Sequence, residues 1–377
     1  MGQHFLLAKI WRWHDNPMLT GLTPEDNLYL WEDQFASRAL PFTDLPHPLS
    51  RFDRERQSHM DSLFETVKTP VKKIKSLSEL KGLKLKAYYF YDDYYLSALD
   101  HRDVEFIFRH PQHFVAEEKA LKAMTQKSNF TDFRLKLEGQ NIYAQTSYSH
   151  VVSSEAEAHG IKCLNEFLKQ AGPDRYLDER NEFEASKAGT HFSCLLSQGL
   201  LSPQHILSKL QAFEDQHGAS KSSYWIKFEL LWREFFYFIQ NYSTRALYFS
   251  DAKSSLPLAP ISLRGLMMDL AREPLIGAML NELTQTGLLS NRCRQIFASY
   301  FVHLGRYDWR YGAYLFQYFL KDYDPSSNWG NWQYLAGVGR DPRGLRFFNL
   351  QTQLERYNPD GSYLAQWGNQ KDFLAHL

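Results

Sequence analysis

The densest group of side chains that could do chemistry lies between residues 287 and 334. Two acids two residues apart, followed by an asparagine in a stretch rich in Gly, Pro and Asn, are unusual for a protein core. This pattern predicts a loop that closes over a polar heterocycle, with an arginine of the preceding helix paired to one acid. The group consists of Asn291, Arg292, Arg294, Gln295, Asp322, Asp324 and Asn328.

Tryptophans form a second group of interest. Trp225 and Trp232 share one face of a predicted helix, because the apolar residues around them recur at helical spacing. Trp309 and Trp332 lie in the same 287–334 stretch as the polar group described above. Taken without further context, all four are better explained as core aromatics than as ligand contacts.

Several chemistries have no motif in this sequence. Cys163, Cys194 and Cys293 stand singly, so neither structural zinc nor an iron–sulfur cluster is expected, and we predict no metal. His110 and His113 are better explained as solvated loop histidines than as ligands. Nucleophile elbows, P-loops and GxGxxG fingerprints are absent as well, which gives hydrolase and kinase chemistries no support.

One local charge excess leaves two interpretations open. Seven lysines stand against the single acid Glu79 between residues 68 and 86. A solvated surface is the favoured interpretation, and an edge that contacts phosphates is the alternative. The lysines are Lys68, Lys72, Lys73, Lys75, Lys81, Lys84 and Lys86.

Composition narrows the class of protein. Among 377 residues, 43 Lys and Arg balance 43 Asp and Glu, which excludes a generally basic protein that wraps nucleic acid. With 44% hydrophobic residues the chain can build a sizeable core, and 15% aromatic residues indicate large buried aromatic surfaces. No apolar run approaches the roughly 18 residues of a membrane helix, and no signal peptide is recognisable. We therefore predict a soluble cytoplasmic protein without a membrane partner.

The chain divides into three predicted segments. Residues 1–115 carry short apolar runs at 5–8, 28–31 and 85–90 around a helical pattern at 54–67, which predicts a small α/β domain with a parallel sheet. Residues 116–158 are polar and predict a connector with one helix near 117–124. Residues 159–377 show helical periodicity almost throughout and predict a larger all-α domain.

Two helix ends can be placed in that helical segment. Ser202 followed by Pro203 predicts an N-cap with proline at the first helical position. A helix over 274–286 is predicted to end at Gly287, a residue type typical of C-caps.

Six motifs carry a resemblance to a known family. Read in chain order they are LLSPQHI, SSYWIKFELLWREFFYF, GLLSNR, DWRYGA, DYDPSSNWGNWQYLAGVGRDPR and YNPDGSYLAQW. With them the sequence resembles the cryptochrome/photolyase family, and most of all its DASH-type cryptochromes, which share Gln295, Tyr334 and the GNWQYLAGVGRDPR run. The resemblance covers about residues 160–367. It is weak in the N-terminal part, where it rests on WRWHDNPML, a shortened form of the family's start, and on the predicted helix after Ser50.

This resemblance implies that the all-α domain binds FAD. Asn328 would face flavin N5, and Asp322 would pair with Arg294 beside the ring. The run Gly189–Leu195 corresponds to the family's phosphate-binding run, which fits the general affinity of helix starts for phosphate. The run keeps the hydroxyls of Thr190 and Ser193, but it departs from the family's residue types at Gly189, Cys194 and Leu195. The implied cofactor-binding residues are Tyr176, Thr190, Ser193, Arg233, Asn291, Arg294, Asp322, Asp324 and Asn328.

The resemblance also implies electron transfer and a lesion pocket. Trp332 and Trp309 match the proximal and middle members of the family's tryptophan chain, whereas the distal tryptophan is missing and Tyr248 is a weak substitute. A flipped base would lie between Trp232 and Tyr334, with Glu229 at its edge. Arg292, Gln295 and Trp232 would then be the DNA contacts, and Glu229, Trp232, Tyr334 and Asn328 the catalytic group.

Three functions follow as alternatives. The first is FAD-dependent, blue-light-driven repair of cyclobutane pyrimidine dimers, with single-stranded or looped DNA as the partner. The second is a blue-light photoreceptor or flavin redox protein without repair activity, which would signal through a protein partner. The third is a nucleic-acid-binding protein whose flavin is structural. The shortened N-terminal part does not favour a second, folate-type antenna chromophore.

Overall fold

The structure is a computed structural model of the chain. It describes residues 4–7, 23–31, 40–45, 71–74, 77–80, 83–88, 104–107, 129–137, 155–239, 258–339, 346–368 and 372–376. Within these ranges the chain forms two compact units. The first comprises residues 1–38, 53–173 and 192–244, and the second comprises residues 39–52, 174–191 and 245–377.

A parallel β-sheet belongs to the first unit. Its five described strands are β1 (His4–Leu7), β2 (Asn27–Trp31), β3 (Val71–Ile74), β4 (Leu85–Tyr88) and β5 (Val104–Ile107), in the spatial order β3-β2-β1-β4-β5. The register pairs His4 with both Asn27 and Leu85, so β1 is central. The three predicted apolar runs overlap β1, β2 and β4, as expected for strands of a parallel sheet, and the small α/β domain itself stays a prediction.

Within the described residues, the first unit also contains five helices. They are α1 (Phe130–Leu137), α2 (Glu155–Lys169), α4 (Phe192–Ser197), α5 (Pro203–His217) and α6 (Lys221–Ile239). The predicted start of α5 is confirmed, because the Ser202 hydroxyl accepts from the backbone N–H of Gln204. The buried Glu214 carboxylate on α5 accepts from Ser223 (2.6 Å) and pairs with Lys227 on α6, which fixes the two helices together.

The second unit is helical. Helix α3 (Gly172–Glu179) leads into it, and it continues with α7 (Leu263–Leu270), α8 (Pro274–Thr286), α9 (Asn291–His303), α10 (Trp309–Phe319), α11 (Pro325–Leu335), α12 (Leu350–Tyr357) and α13 (Ser362–Trp367). Its core contains fully buried side chains of α8 and α9, such as Ile276 and Phe297. Helix α8 has the predicted bounds and ends at Gly287, whose φ of 74° is left-handed.

The two units interleave along the sequence. Residues 40–45 belong to the second unit, where Phe42 forms a parallel bridge with Ile261 and the Asp44 carboxylate accepts from the N–H of Leu263 at the start of α7. The predicted division into 1–115, 116–158 and 159–377 follows chain order instead. It stays a prediction.

Some predictions lie outside the described residues. These are the helices at 54–67 and 117–124, the histidines His110 and His113, the substitute donor Tyr248, and the WRWHDNPML motif. Of the lysine cluster, the side chains of Lys72 and Lys84 are described, and both are exposed. Within the described part of the chain, no helix is both long and apolar enough to cross a membrane.

Candidate functional site

The loop between α10 and α11 is the centre of the candidate site. It runs from Leu320 to Asp324 and passes the end of α8, where the backbone N–H of Lys321 donates to the Gly287 carbonyl at 2.8 Å. Gly287 can accept this approach because its left-handed backbone ends α8 and turns the chain towards α9. The loop acids are thereby held beside the first turn of α9.

Arg294 and Asp322 form a buried ion pair at this point. The Nη2 of Arg294 lies 3.0 and 2.8 Å from the two carboxylate oxygens, and its Nε donates to the Leu289 carbonyl at 2.9 Å. The Asp322 side chain is 3% exposed, against 26% for Arg294. An ion pair with a buried carboxylate is stabilising only when its remaining hydrogen-bonding capacity is satisfied, so it favours a polar neighbour in the adjacent space.

Asp324 and Asn328 stand one helical turn apart. Asp324 is the N-cap of α11, since its carboxylate accepts from the N–H of Ser327 at 2.8 Å and Pro325 occupies the first helical position. Asn328 is 8% exposed, and its Nδ2 donates to the Ala313 carbonyl at 3.0 Å. The amide is fixed by that bond. Its oxygen and second N–H remain suited to a partner that either donates or accepts.

These side chains line one pocket in the second unit. Its cavity volume of about 90 Å³ is several times the ~10–15 Å³ that one water requires. The walls are apolar on some sides and polar on others, as a planar heterocycle requires. The lining residues are Asn291, Arg294, Gln295, Ala298, Phe316, Leu320, Asp322, Tyr323, Asp324, Ser327, Asn328, Asn331, Trp332 and Leu335.

The structure thus brings seven of the predicted site residues together. They are Asn291, Arg294, Gln295, Asp322, Asp324, Asn328 and Trp332. The prediction missed Ser327 and Asn331, although a signal for Asn331 was present. Asp324, Asn328, Asn331 and Leu335 follow at spacings of four, three and four, which is one face of a helix.

Trp332 is buried in the wall of this pocket. Its ring is 2% exposed and lies edge-on to Phe301 and Phe316, at centroid distances of 5.4 and 5.2 Å. Gly312 on α10 makes this position possible, because a Cβ there would lie 2.2 Å from the Trp332 ring. Trp309 has a different neighbour and packs edge-on against Trp329 at 5.6 Å. The electron-transfer roles of Trp309 and Trp332 remain predictions.

Arg292 and Tyr334 are not among the pocket-lining residues. Arg292 donates to Asn181 at 2.7 Å and lies over the Tyr357 ring at 4.7 Å. Burial lowers the pKa of its guanidinium. Tyr334 is half-buried, with the Arg346 guanidinium 4.6 Å above its ring. The predicted DNA contact of Arg292 and the lesion contact of Tyr334 stay predictions.

The predicted phosphate-binding residues are divided between the units. In the second unit, Gly189 and His191 have left-handed backbones, with φ of 75° and 58°, on either side of the half-buried Thr190. Tyr176 lies next to this turn, since a Cβ on Gly189 would be 3.7 Å from its ring. Ser193 is exposed on α4 and belongs to the first unit.

The remaining predicted residues lie on α6 in the first unit. The Nη2 of Arg233 is 3.1 Å from the Tyr237 hydroxyl, and Glu229 is half-buried. Trp232 stacks face to face with Phe130 of α1, at 3.7 Å between ring centroids and 11° between planes. Sequence analysis did not anticipate this contact, because Phe130 lies in a segment without a helical signal in the prediction.

A buried carboxyl group was also missed. Glu282 on α8 is 1% exposed, and it accepts from the N–H of Ala185 (2.8 Å) and from the Tyr363 hydroxyl (2.7 Å). Burial raises the pKa of this carboxyl from 4.5 to about 7. Glu282 therefore joins the segment before the Gly189 turn to α13. Within the described ranges, no three His, Cys, Asp or Glu side chains lie close enough together to hold a metal ion.

The chemistry of the pocket fits a flavin ring. Phe316, Leu320 and Trp332 provide apolar surface for the faces of a planar ring. The Arg294–Asp322 pair and the Asn328 amide provide donors and acceptors for its polar edge. These residues would hold the ring of FAD.

Comparison with known proteins agrees with this chemistry. Residues 225–371 match the family model described as "FAD binding domain of DNA photolyase". The chain is 43% identical over 215 residues to Cryptochrome DASH of Idiomarina loihiensis, covering 56% of this chain and 48% of that one. It is 42% identical over 218 residues to Cryptochrome DASH of Vibrio parahaemolyticus, covering 57% and 49%. The chain thus spans about half the length of the curated relatives it matches.

Solved structures show the same fold. The cryptochrome of Synechocystis superposes with a TM-score of 0.80 at 23% identity, covering 97% of this chain and 88% of that one. An archaeal photolyase from Sulfolobus tokodaii, solved with two FAD molecules, superposes with a TM-score of 0.71 at 18% identity, covering 98% and 90%. At these identities the superpositions establish the fold.

Residues 225–371 are therefore an FAD-binding domain of the photolyase type, in a chain with the photolyase/cryptochrome fold. The resemblance to the cryptochrome/photolyase family is confirmed over this part of the chain, and proteins named Cryptochrome DASH are its relatives.

Proposed function

We propose that this protein is an FAD-dependent enzyme that uses blue light to split cyclobutane pyrimidine dimers in single-stranded or looped DNA. The observation that carries the proposal is the pocket around the buried Arg294–Asp322 pair, lined on one side by Trp332. Bound FAD supplies light absorption and single-electron chemistry. The small α/β domain of residues 1–115 is proposed as the second part of the same architecture.

Each pocket residue has a defined task in this proposal. Arg294 and Asp322 fix the polar edge of the ring, and a charge held in low dielectric interacts more strongly than one in water. Asn328 can donate to or accept from a ring nitrogen, so it suits a ring whose protonation changes with its redox state. Trp332 excludes water from the wall and relays electrons to the ring site.

The lesion would be recognised on α6. Glu229 would hydrogen-bond the base edges, and Trp232 would stack on one base of the flipped dimer. Tyr334 is proposed as a further lesion contact. Gln295, in the pocket wall, and Arg292 are the further proposed DNA contacts. Extrusion of a dimer costs only a few kcal/mol when the DNA is single-stranded, which favours that substrate.

Light-driven repair can be tested directly with the purified chain loaded with FAD. An absorption spectrum before and after anaerobic blue light reports flavin reduction, and a dimer-containing single-stranded oligonucleotide then reports repair as restored thymine absorbance. Glu229→Gln is expected to lose repair but keep the flavin spectrum, and Glu355→Gln on exposed α12 is the matched control. Flavin reduction without any repair by the unaltered chain would refute the proposal.

A second candidate function is a blue-light photoreceptor or flavin redox protein without repair. One observation favours it: the Phe130 ring covers a face of Trp232. Phe130 is 6% exposed and also contacts Phe228 and Phe235, so this position is part of the packing between α1 and α6. A chain that reduces its flavin in light but binds no dimer-containing DNA would support this candidate.

A further inference from the structure

Tyr307 lies in the turn between α9 and α10, and the backbone of that turn folds its ring onto the core. Arg306 has a left-handed φ of 56°, and the N–H of Tyr307 donates back to the Phe301 carbonyl at 3.1 Å. A Cβ on Gly305 would lie 3.0 Å from both the Phe301 carbonyl oxygen and the Tyr307 ring. A glycine at that position therefore lets the ring lie close to the backbone of its own turn.

Two ring contacts lead from Tyr307 to the pocket wall. The rings of Tyr307 and Phe301 have centroids 5.2 Å apart, and those of Phe301 and Trp332 are 5.4 Å apart. Phe301 is fully buried, whereas Tyr307 is half-buried. A single ring thus separates the pocket-lining Trp332 from a phenol at the protein surface.

The Tyr307 hydroxyl donates a hydrogen bond to the carboxylate of Asp269 on α7. The other oxygen of that carboxylate lies 3.2 Å from the Nε of Arg272, so the acceptor of the Tyr307 proton also pairs with a cation. Burial and the Asp269 hydrogen bond raise the pKa of Tyr307 to about 12. The phenol is therefore protonated in neutral solution and already aligned with a proton acceptor.

We propose that Tyr307 is the terminal electron donor of the flavin site and reduces Trp332 after Trp332 has been oxidised. This inference rests on the proposed function, in which Trp332 would give an electron to the FAD site under blue light. One electron leaves the Tyr307 ring for Trp332 and restores it to a neutral indole. The phenolic proton moves to Asp269, so that Tyr307 becomes a neutral radical and Asp269 a carboxylic acid. A small-molecule thiolate in solution then returns one electron to the Tyr307 radical and becomes a thiyl radical, and the phenolic proton returns from Asp269.

Electron paramagnetic resonance of the FAD-loaded chain under blue light tests this assignment, with ring-deuterated tyrosine to identify a tyrosyl radical. The unaltered protein is expected to give that radical. Tyr307→Phe is expected to lose it and to leave a short-lived tryptophan radical, and Asp269→Asn to reduce its yield. Tyr311→Phe is the matched control, because the Tyr311 hydroxyl donates to a backbone carbonyl instead of a carboxylate and its loss should change nothing.

The outcomes separate this inference from the proposed function. A tyrosyl radical that persists in Tyr307→Phe would overturn the inference, as would an unaltered protein that forms only tryptophan radicals. Trp332→Phe is expected to lose the tyrosyl radical together with light-driven flavin reduction. Normal flavin reduction in Trp332→Phe would refute the role of Trp332 in the proposed function itself.

A measurement without cofactor tests the geometry independently. The ultraviolet difference titration of the unaltered chain minus Tyr307→Phe is expected to show a phenol with a pKa of about 12. Asp269→Asn is expected to lower that pKa, because it removes both the hydrogen-bond acceptor and its negative charge. A difference titration at the ordinary tyrosine value of 10.0 would overturn the proposed phenol–carboxylate pair.

Discussion

The buried carboxyl of Glu282 makes a sharp prediction about how stability varies with pH. It is enclosed by α8, the Phe183–Ala185 segment and α13, and it accepts from Ala185 and Tyr363. Burial disfavours its charged form and raises its pKa to about 7, from 4.5 for an unperturbed glutamate. The perturbation is Glu282→Gln, which keeps the size of the side chain and removes its titration.

The sign follows from proton linkage. Between pH 4.5 and about 7 the folded protein keeps a proton on Glu282 that the unfolded chain has released. The contribution of this group to stability is therefore complete below pH 4.5 and is lost as the pH rises to about 7. One pKa unit corresponds to about 1.4 kcal/mol, so the loss over this range is roughly 3 kcal/mol.

Urea unfolding at a series of pH values across this range measures the effect. The unaltered chain is expected to lose free energy of unfolding relative to Glu282→Gln as the pH rises. Gln also replaces an acceptor by an N–H₂ group, which lowers stability by about 1–3 kcal/mol at every pH, so the comparison concerns the slope. The exposed Glu355→Gln is the control and should keep the slope of the unaltered chain. Equal slopes for Glu282→Gln and the unaltered chain would refute the reasoning.

Three further substitutions probe the site. Gly312→Ala places a Cβ 2.2 Å from the Trp332 ring, so it should destabilise the fold by about 1–3 kcal/mol and change the tryptophan fluorescence. An unchanged thermal midpoint of unfolding would contradict this packing of Gly312 against Trp332. Asp324→Ala removes the N-cap of α11, so it should lower the free energy of unfolding by about 0.5–2 kcal/mol and weaken FAD binding. Thermal unfolding at a series of FAD concentrations measures both effects. Phe130→Leu removes the ring that stacks on Trp232 and should tighten binding of dimer-containing oligonucleotide, measured by fluorescence anisotropy. Equal or weaker binding would mean that the stacked face of Trp232 is not a base site.

Local sequence signals predicted the elements well. The strands at Leu28 and Leu85 and the bounds of α8 each follow from a short apolar run or from a proline and a glycine at fixed positions. The pairing of Arg294 with Asp322 was expected from the resemblance, and the structure shows it at 2.8 Å. Such features depend on a few neighbouring residues or on a motif, so a single sequence carries them.

Contacts between distant segments could not be predicted in the same way. Glu282 and Tyr363 are 81 residues apart, and neither differs from an ordinary surface glutamate or tyrosine in its local sequence. The stacking of Phe130 on Trp232 likewise depends on which helix covers α6. The predicted phosphate-binding residue Tyr176 on α3 lies beside the turn that contains Thr190. The division of residues 189–195 between two compact units has no signature in the sequence.

The interleaving of the two units has a consequence for synthesis on the ribosome. Residues 39–52 and 174–191 leave the ribosome early, but they belong to the unit whose remaining part begins at residue 245. The hydrogen bond from Ala185 to Glu282 cannot form until residue 282 has been synthesised, and the one from Tyr363 to Glu282 cannot form until residue 363 has been synthesised. At about 5–20 residues per second, the wait from Ala185 to Tyr363 is on the order of 10–40 seconds. During that interval the early segments of the second unit lack the contacts that they make in the folded chain, so slower translation prolongs the time that they spend without them.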